Sequence, residues 1–234
     1  LRRAAEERED QRSFESALRE DGISLIAELK RASPSAGLIR DDFDIPFLLN
    51  QYEGGGARAL SILTDAPYFQ GALGYLSEAR KITSLPALRK DFLIDEYQIA
   101  EAGAAGADAF LLIVAILSTQ QLADYIVLGR DLGMDALVEI HDRRELDRAV
   151  EAGANIIGIN NRDLRSFHVS LDTSVELGEA LPEECVRVSE SGIYTRDDVE
   201  MLEGAGFDAV LVGTSLMRKP EPSRLIRTLL GHDG

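Results

Sequence analysis

Two lysines stand where apolar stretches break into charge. "SLIAELK" (24–30) ends in Glu28 and Lys30, and "LPALRK" (85–90) ends in Lys90. The only lysines are Lys30, Lys81, Lys90 and Lys219, so two at comparable breaks point to chemistry. On a strand, side chains alternate between faces, which groups Ile26, Glu28 and Lys30 against Leu25, Ala27 and Leu29. The second group is wholly apolar and belongs against other elements, so the first carries a carboxylate and an ammonium inward. Buried charge is costly unless paired or used, and an ion pair and a catalytic group both fit this strand taken alone. "ALVEIH" (136–141) adds Glu139 in register with Leu137 and His141. "GINNRDL" (158–164) offers Asn160, Asn161 and Arg162, and "SESGI" (189–193) offers Ser189, Glu190, Ser191 and Gly192. "VGTSLM" (212–217) brings Gly213, Thr214 and Ser215. A lysine that is desolvated or crowded by cations has a lowered pKa and can act as an acid near neutrality. A glutamate in an apolar wall has a raised one and can act as a base. Lys90 and Glu139 are candidates for such a pair.

These residues need elements that bring them together. "EGGGARALSIL" (53–63), "EAGAAGADAFLLI" (101–113), "EAGANIIGI" (151–159) and "EGAGFDAVLVG" (203–213) share one plan. Each ends an amphipathic stretch at glycine, turns, and enters a short β-rich run, which is a helix C-cap followed by a strand. Further strand-like runs are "SLIAEL", "LPALR", "DALVEI" and "VRVS", and "STQQLADYIVLGRDLG" (118–133) reads as a helix capped by Ser118 or Thr119. The count is eight strands, each followed by a helix, at about 29 residues per unit, which predicts a closed (β/α)₈ TIM barrel. An open doubly wound sheet is the rival, but the first strand runs into "KRASPSAG" without the glycine fingerprint of that fold. No linker interrupts the pattern. One domain over 1–234 is expected, with 1–23 as an N-terminal helical extension and 24–220 as the barrel core.

In such a barrel the active site lies at the carboxyl ends of the strands. The lysines, glutamates, asparagines and arginine above then meet at one rim. "SGI" and "GTS" follow the last two strands, where barrels commonly bind phosphate through loop amides.

The bulk numbers exclude several classes. A net charge of -16 argues against nucleic acid as a partner. "AFLLIVAIL" (109–117) is too short to span a bilayer, and the charged start "LRRAAEERED" has no signal core, so a cytoplasmic location is expected. Cys185 is the single cysteine, ruling out an intrachain disulfide. His141, His168 and His232 have no evident metal-ligand partners, so neither metal nor cofactor is expected. An acidic surface poor in lysine suits work at high salt.

The motifs "IAELKRASPSAG", "SILTDAPYFQG", "LRKDFLIDEYQI", "LGMDALVEIH", "IGINNRDL", "VSESGI" and "VGTSLM" resemble, in order and spacing, those of the indole-3-glycerol-phosphate synthases. The resemblance runs from about Ser24 to Pro220. It implies a carbon–carbon lyase of tryptophan biosynthesis. The substrate, 1-(2-carboxyphenylamino)-1-deoxyribulose 5-phosphate, is closed to the indole with loss of carbon dioxide and water. By the same resemblance, Lys90 is the general acid, Lys30 binds the substrate carboxylate, and Glu139 serves the dehydration. Glu28, Asn160, Glu190 and Ser191 orient these groups. Arg162 and Ser33 match contacts near the anthranilate carboxylate, and Phe69, Leu88 and Phe92 the apolar wall around its ring. Ser191, Gly192, Gly213 and Thr214, with Ser215 alongside, fall at the phosphate. The partner is thus a small phosphorylated anion, drawn in by rim cations Lys30, Arg31, Lys90 and Arg162. Such enzymes usually carry a longer helical extension ahead of the first strand that helps cover the substrate, so residues 1–23 are expected to be a shortened form of it. A phosphate-binding isomerase of the phosphoribosylanthranilate type needs a cysteine near the end of strand 1. This chain has Glu28 and Lys30 there, with Cys185 at the start of strand 7.

Overall fold

A computed structural model describes residues 1–163 and 166–232. Leu164, the last residue of the "GINNRDL" motif, lies outside them. The strands are β1 (Ser24–Leu29), β2 (Ala59–Leu63), β3 (Ala87–Lys90), β4 (Ala109–Ile113), β5 (Asp135–Ile140), β6 (Ile156–Asn160), β7 (Val186–Glu190) and β8 (Ala209–Val212). They pair in parallel in sequence order, and β8 pairs with β1 to close the ring. The (β/α)₈ barrel expected from the repeat is therefore the fold observed.

Each strand is buried on both faces, which is why the runs read as continuously apolar. The outward side chains Leu25, Ala27 and Leu29 of β1 and Leu60 and Ile62 of β2 pack under the helices. The inward ones, among them Ile26, Ala59, Leu88, Leu137, Ile156 and Val188, fill the barrel. Helix ends follow local chemistry. Ser118 caps Thr119–Asp131 and Thr195 caps Arg196–Gly204, each in a reciprocal capping box. Gly106 closes Glu96–Ala105 at φ 100°, a left-handed conformation that favours glycine.

The N-terminal segment packs at the end of the barrel away from the strand carboxyl termini. The one-and-a-half-turn helix Phe14–Leu18 inserts Phe14 and Leu18, both fully buried, into the interior cluster. Its partners mark the amino-terminal end of the barrel: the amide of Glu15 donates to Asp135 at the start of β5 (2.9 Å). Asp108, just before β4, accepts from Arg8 and Arg80 at 2.8 Å each and from the amides of Arg12 (3.0 Å) and Ala87 (2.9 Å). Residues 8–18 thus plug the end opposite the strand carboxyl termini rather than covering a substrate there. Among the described residues, no helix is long and apolar enough to cross a membrane.

Candidate active site

At the carboxyl end of the barrel lies a cavity of about 440 Å³, within the usual range for a small-molecule site. It is lined by every candidate residue except Leu88: the six polar groups Glu28, Lys30, Lys90, Glu139, Asn160 and Glu190, then Ser33, Phe69, Phe92 and Arg162, and the glycine-bearing turns of β7 and β8. Leu88 shares the inward face with Lys90 but sits one alternation lower, roughly 7 Å down the strand. It is fully buried within the interior cluster and does not reach the cavity. The apolar wall is completed instead by Leu63, Leu111, Ile113 and Leu211. Arg31, counted with the rim cations, does not line the cavity either.

The floor is an ionic cluster assembled from five strands. Lys90 Nζ donates to Glu139 Oε2 at 2.7 Å and to Glu190 Oε2 at 2.9 Å. Beside it, Lys30 Nζ lies 2.5 Å from Glu28 Oε1. Asn160 Nδ2 donates to Glu139 Oε1 at 3.2 Å. Strand register explains the convergence: Asn160 lies beside Glu190, and Leu63 beside Lys90, in adjacent strands.

The electrostatics correct the sequence reading. Burial works to lower the Lys90 pKa, but the carboxylates of Glu139, Glu190 and Glu28 overcome it and leave it raised. For Glu139, burial works upward, but Lys90 and His141 overcome it and hold the carboxyl below the ordinary range. The raised glutamate is Glu190: burial pushes it up, Glu139 and Glu28 reinforce that against Lys90, and it reaches about 7. Like charges crowd one ammonium, and the site resolves the conflict by making one carboxyl protonatable.

Two residues visible at the strand ends turn out to support the site from behind. His141, noted only as a neighbour in register, places Nε2 3.4 Å from Glu139 Oε1 and Nδ1 3.1 Å from Glu145 Oε2. An imidazole with a carboxylate at each nitrogen favours both protons. Burial lowers its pKa, yet Glu139 and Glu145 lift it to about 10. Asn161 is buried and donates to Ser189 Oγ and to the carbonyls of Glu190 and Ser191 at 2.9–3.0 Å. It thereby braces a turn in which Ser191 (φ 68°) and Gly192 (φ 83°) are both left-handed. A Cβ on Gly192 would lie 2.5 Å from Val169 Cγ1, so glycine is needed there for space as well as conformation. The strained serine lies at the cavity, where such strain tends to be kept. The doubled asparagine was the visible signal for Asn161; for His141 it was the pair of carboxylates two residues before and four after it in "EIHDRREL".

The aromatic wall comes from the loops after β2 and β3. Phe69 and Phe92 stand 6.4 Å apart, centroid to centroid, at 43°, a tilted pairing that aromatic rings favour. Tyr68, Phe167 and Tyr194, which the sequence reading did not pick out, also line the cavity. In the ring, β3 stands across from β7, so Phe92 and the Ser191–Gly192 turn reach the cavity from opposite sides. β8 leads through Gly213 into the single helical turn Thr214–Met217.

Known proteins share this architecture. The chain is similar to tryptophan synthase α-subunit from Pyrococcus furiosus (a variant; TM-score 0.66, 18% identity, covering 89% of this chain and 98% of that one). It is also similar to 3-hexulose-6-phosphate synthase from Salmonella typhimurium (TM-score 0.71, 13% identity, 89% and 97% coverage). At such identities the likeness is one of fold. Sequence relatives go further. The indole-3-glycerol phosphate synthase of Chlorobaculum tepidum is 52% identical over 212 residues, 90% of this chain and 83% of the relative. That of Laribacter hongkongensis is 49% identical over 234 residues, 98% of this chain and 89% of the relative. The family model described as indole-3-glycerol phosphate synthase matches residues 1–229, and this chain belongs to that family.

Proposed function

We propose that Lys90 is the general acid of the family's indole-forming reaction. The observation that carries this is its ammonium held between Glu139 and Glu190 on the floor of a cavity that Phe69, Phe92 and two glycine-bearing turns also line. The ring of the substrate stacks on the side of Phe69 and Phe92. Its phosphate sits at Ser191, Gly192, Gly213, Thr214 and Ser215, where backbone amides and hydroxyls supply donors. Lys30, with Arg162 and Ser33, receives the carboxylate. The substrate is anionic and the protein strongly acidic, so these local cations must outweigh the global field. They do so because the apolar wall lowers the effective dielectric around them.

In ring closure the aromatic carbon bearing the carboxylate attacks the ketone carbon, and the carbonyl electron pair moves onto oxygen. That oxygen takes a proton from Lys90. The carbon–carboxylate bond then breaks, its electrons restore the aromatic ring, and carbon dioxide leaves. Dehydration removes a proton from the carbon between nitrogen and carbinol, and the hydroxyl departs as water. Glu139, held ionised, accepts the first proton. Glu190, protonatable near neutrality, supplies the one that the hydroxyl needs. Proton return from Glu139 resets Lys90 across a 2.7 Å contact, and solvent reprotonates Glu190, supplying the one proton consumed when a carboxylate leaves as carbon dioxide. Protonating Glu190 also removes one of the carboxylates that raise the Lys90 pKa, which makes the ammonium a better acid.

Lys90→Met tests the assignment. General acid–base groups contribute about 10²–10⁴-fold, so indole absorbance should appear at least 100-fold more slowly, with the circular dichroism spectrum unchanged. Product formed at the parent rate would remove Lys90 from the role.

A further inference from the structure

Gly158 occupies the middle of β6 among Ile156, Ile157 and Ile159. Glycine weakens a strand interior and marks places where something must approach the backbone closely. It is not among the residues with positive φ, so backbone freedom does not account for it. Alternation turns it inward, one step below Asn160, and it pairs with Glu139 of β5 and Val188 of β7. A Cβ at this point would lie 2.2 Å from Glu190 Oε1 and 3.2 Å from Leu137 Cδ1. Glu190 Oε1 is buried and has no hydrogen-bond partner, while Oε2 of the same carboxyl holds Lys90. One oxygen therefore rests in the gap left by the missing Cβ, and the other is aimed at the ammonium.

We propose that Gly158 is a positioning residue: its lack of a side chain is the socket that seats Glu190 and so fixes the geometry of Lys90 between its two carboxylates. The inference rests on the acid–base roles proposed above. It carries a clear mechanical consequence. An alanine at 158 cannot share the space, and the movable group is the end of the Glu190 side chain rather than backbone. Displacement by roughly 1 Å suffices to break the hydrogen bond to Lys90, and misplacement on that scale can cost about 100-fold in rate. The same displacement moves Glu190 relative to Lys90, Glu139 and Glu28, the charged groups that set its protonation. Gly213 makes similar room for Glu28, where a Cβ would lie 2.3 Å from Oε1, but it already belongs to the phosphate turn.

The test compares Gly158→Ala, Glu190→Ala and the double variant. Gly158→Ala should fold, lose at least tenfold in kcat with KM within threefold of the parent, and shift the limb near pH 7 in the kcat/KM profile. In the Glu190→Ala background the same substitution should change kcat less than twofold, because the 2.2 Å collision is gone and only the 3.2 Å approach to Leu137 Cδ1 remains, which the end of that side chain can relieve. If Gly158→Ala proves insoluble, recovery of folded protein in the double variant reports the same collision. Parent-like kcat in Gly158→Ala, equal losses in both backgrounds, or insolubility in both overturns the proposal. Lys90→Met in the same assay separates the two levels: an active Lys90→Met sinks the acid–base reading and this inference with it. An inactive Lys90→Met beside a fully active Gly158→Ala sinks this inference alone.

Discussion

At the scale of residues, the chemistry is decided by which charges meet. Each of Lys30, Lys90, Glu28, Glu139 and Glu190 is legible in the sequence as a charged group at the end of an apolar run. Their protonation is not legible, because it depends on neighbours from other strands. A lowered lysine and a raised Glu139 were the natural expectations; contact between Lys90, Glu139 and Glu190 inverts both and transfers the raised carboxyl to Glu190. His141 is set instead by partners near it in sequence, Glu139 and Glu145. Its pKa is lifted from 6.5 to about 10 in the folded chain, so it binds its proton more tightly folded than unfolded. The resulting stabilisation is complete below about pH 6.5 and is lost as pH rises towards 10. His141→Asn should therefore flatten the fall in melting temperature over that window relative to the parent. Parallel curves for the two proteins would show that the imidazole is not held charged between Glu139 and Glu145.

At the scale of elements, the two ends of the barrel do separate work. The carboxyl end carries the site on strand tips and braced turns; Asn161 ties the last residues of β7 to β6. The amino end carries stability through Phe14, Leu18 and the five hydrogen bonds that Asp108 accepts from four residues. Removing a buried phenylalanine side chain costs about 3–5 kcal/mol, and a leucine about 2–5 kcal/mol. Phe14→Ala should thus lower unfolding free energy by that order in urea titration. KM and the indole-forming rate, measured well below the melting temperature, should remain within about twofold, because the plug is a barrel length from Lys90. A large change in KM would mean that the plug shapes the site. The strand and helix positions, and even the Ser118 cap, follow from periodicity and capping chemistry. The location of residues 1–23 did not, since a short amphipathic helix can cover either mouth, and only its partners Asp108 and Asp135 select one.

For the whole molecule, a net charge of -16 sets an electrostatic load that local structure does not remove. Exposed pairs such as Arg2–Glu6, Arg143–Asp147 and Arg196–Glu200 contribute at most about 1 kcal/mol each and are screened together with the repulsion. The Asp108 cluster is buried and is screened much less. Going from 0.01 M to 1 M salt shortens the screening length from about 30 Å to about 3 Å, so relief of repulsion should dominate and the melting temperature should rise. A flat or falling curve would count against a salt-adapted surface. The amino-acid sequence by itself determined the barrel, the charged strand ends and the family to which the chain belongs, because alternation, apolar runs and glycine-ended helices are properties of consecutive residues. Tertiary structure alone decided that Leu88 lies beneath the cavity, that the surroundings push the Glu190 carboxyl pKa up and that of Glu139 down, and that Gly158 leaves the space in which Glu190 sits. Those outcomes depend on distances between atoms of different strands, which closing the ring fixes and local sequence does not encode.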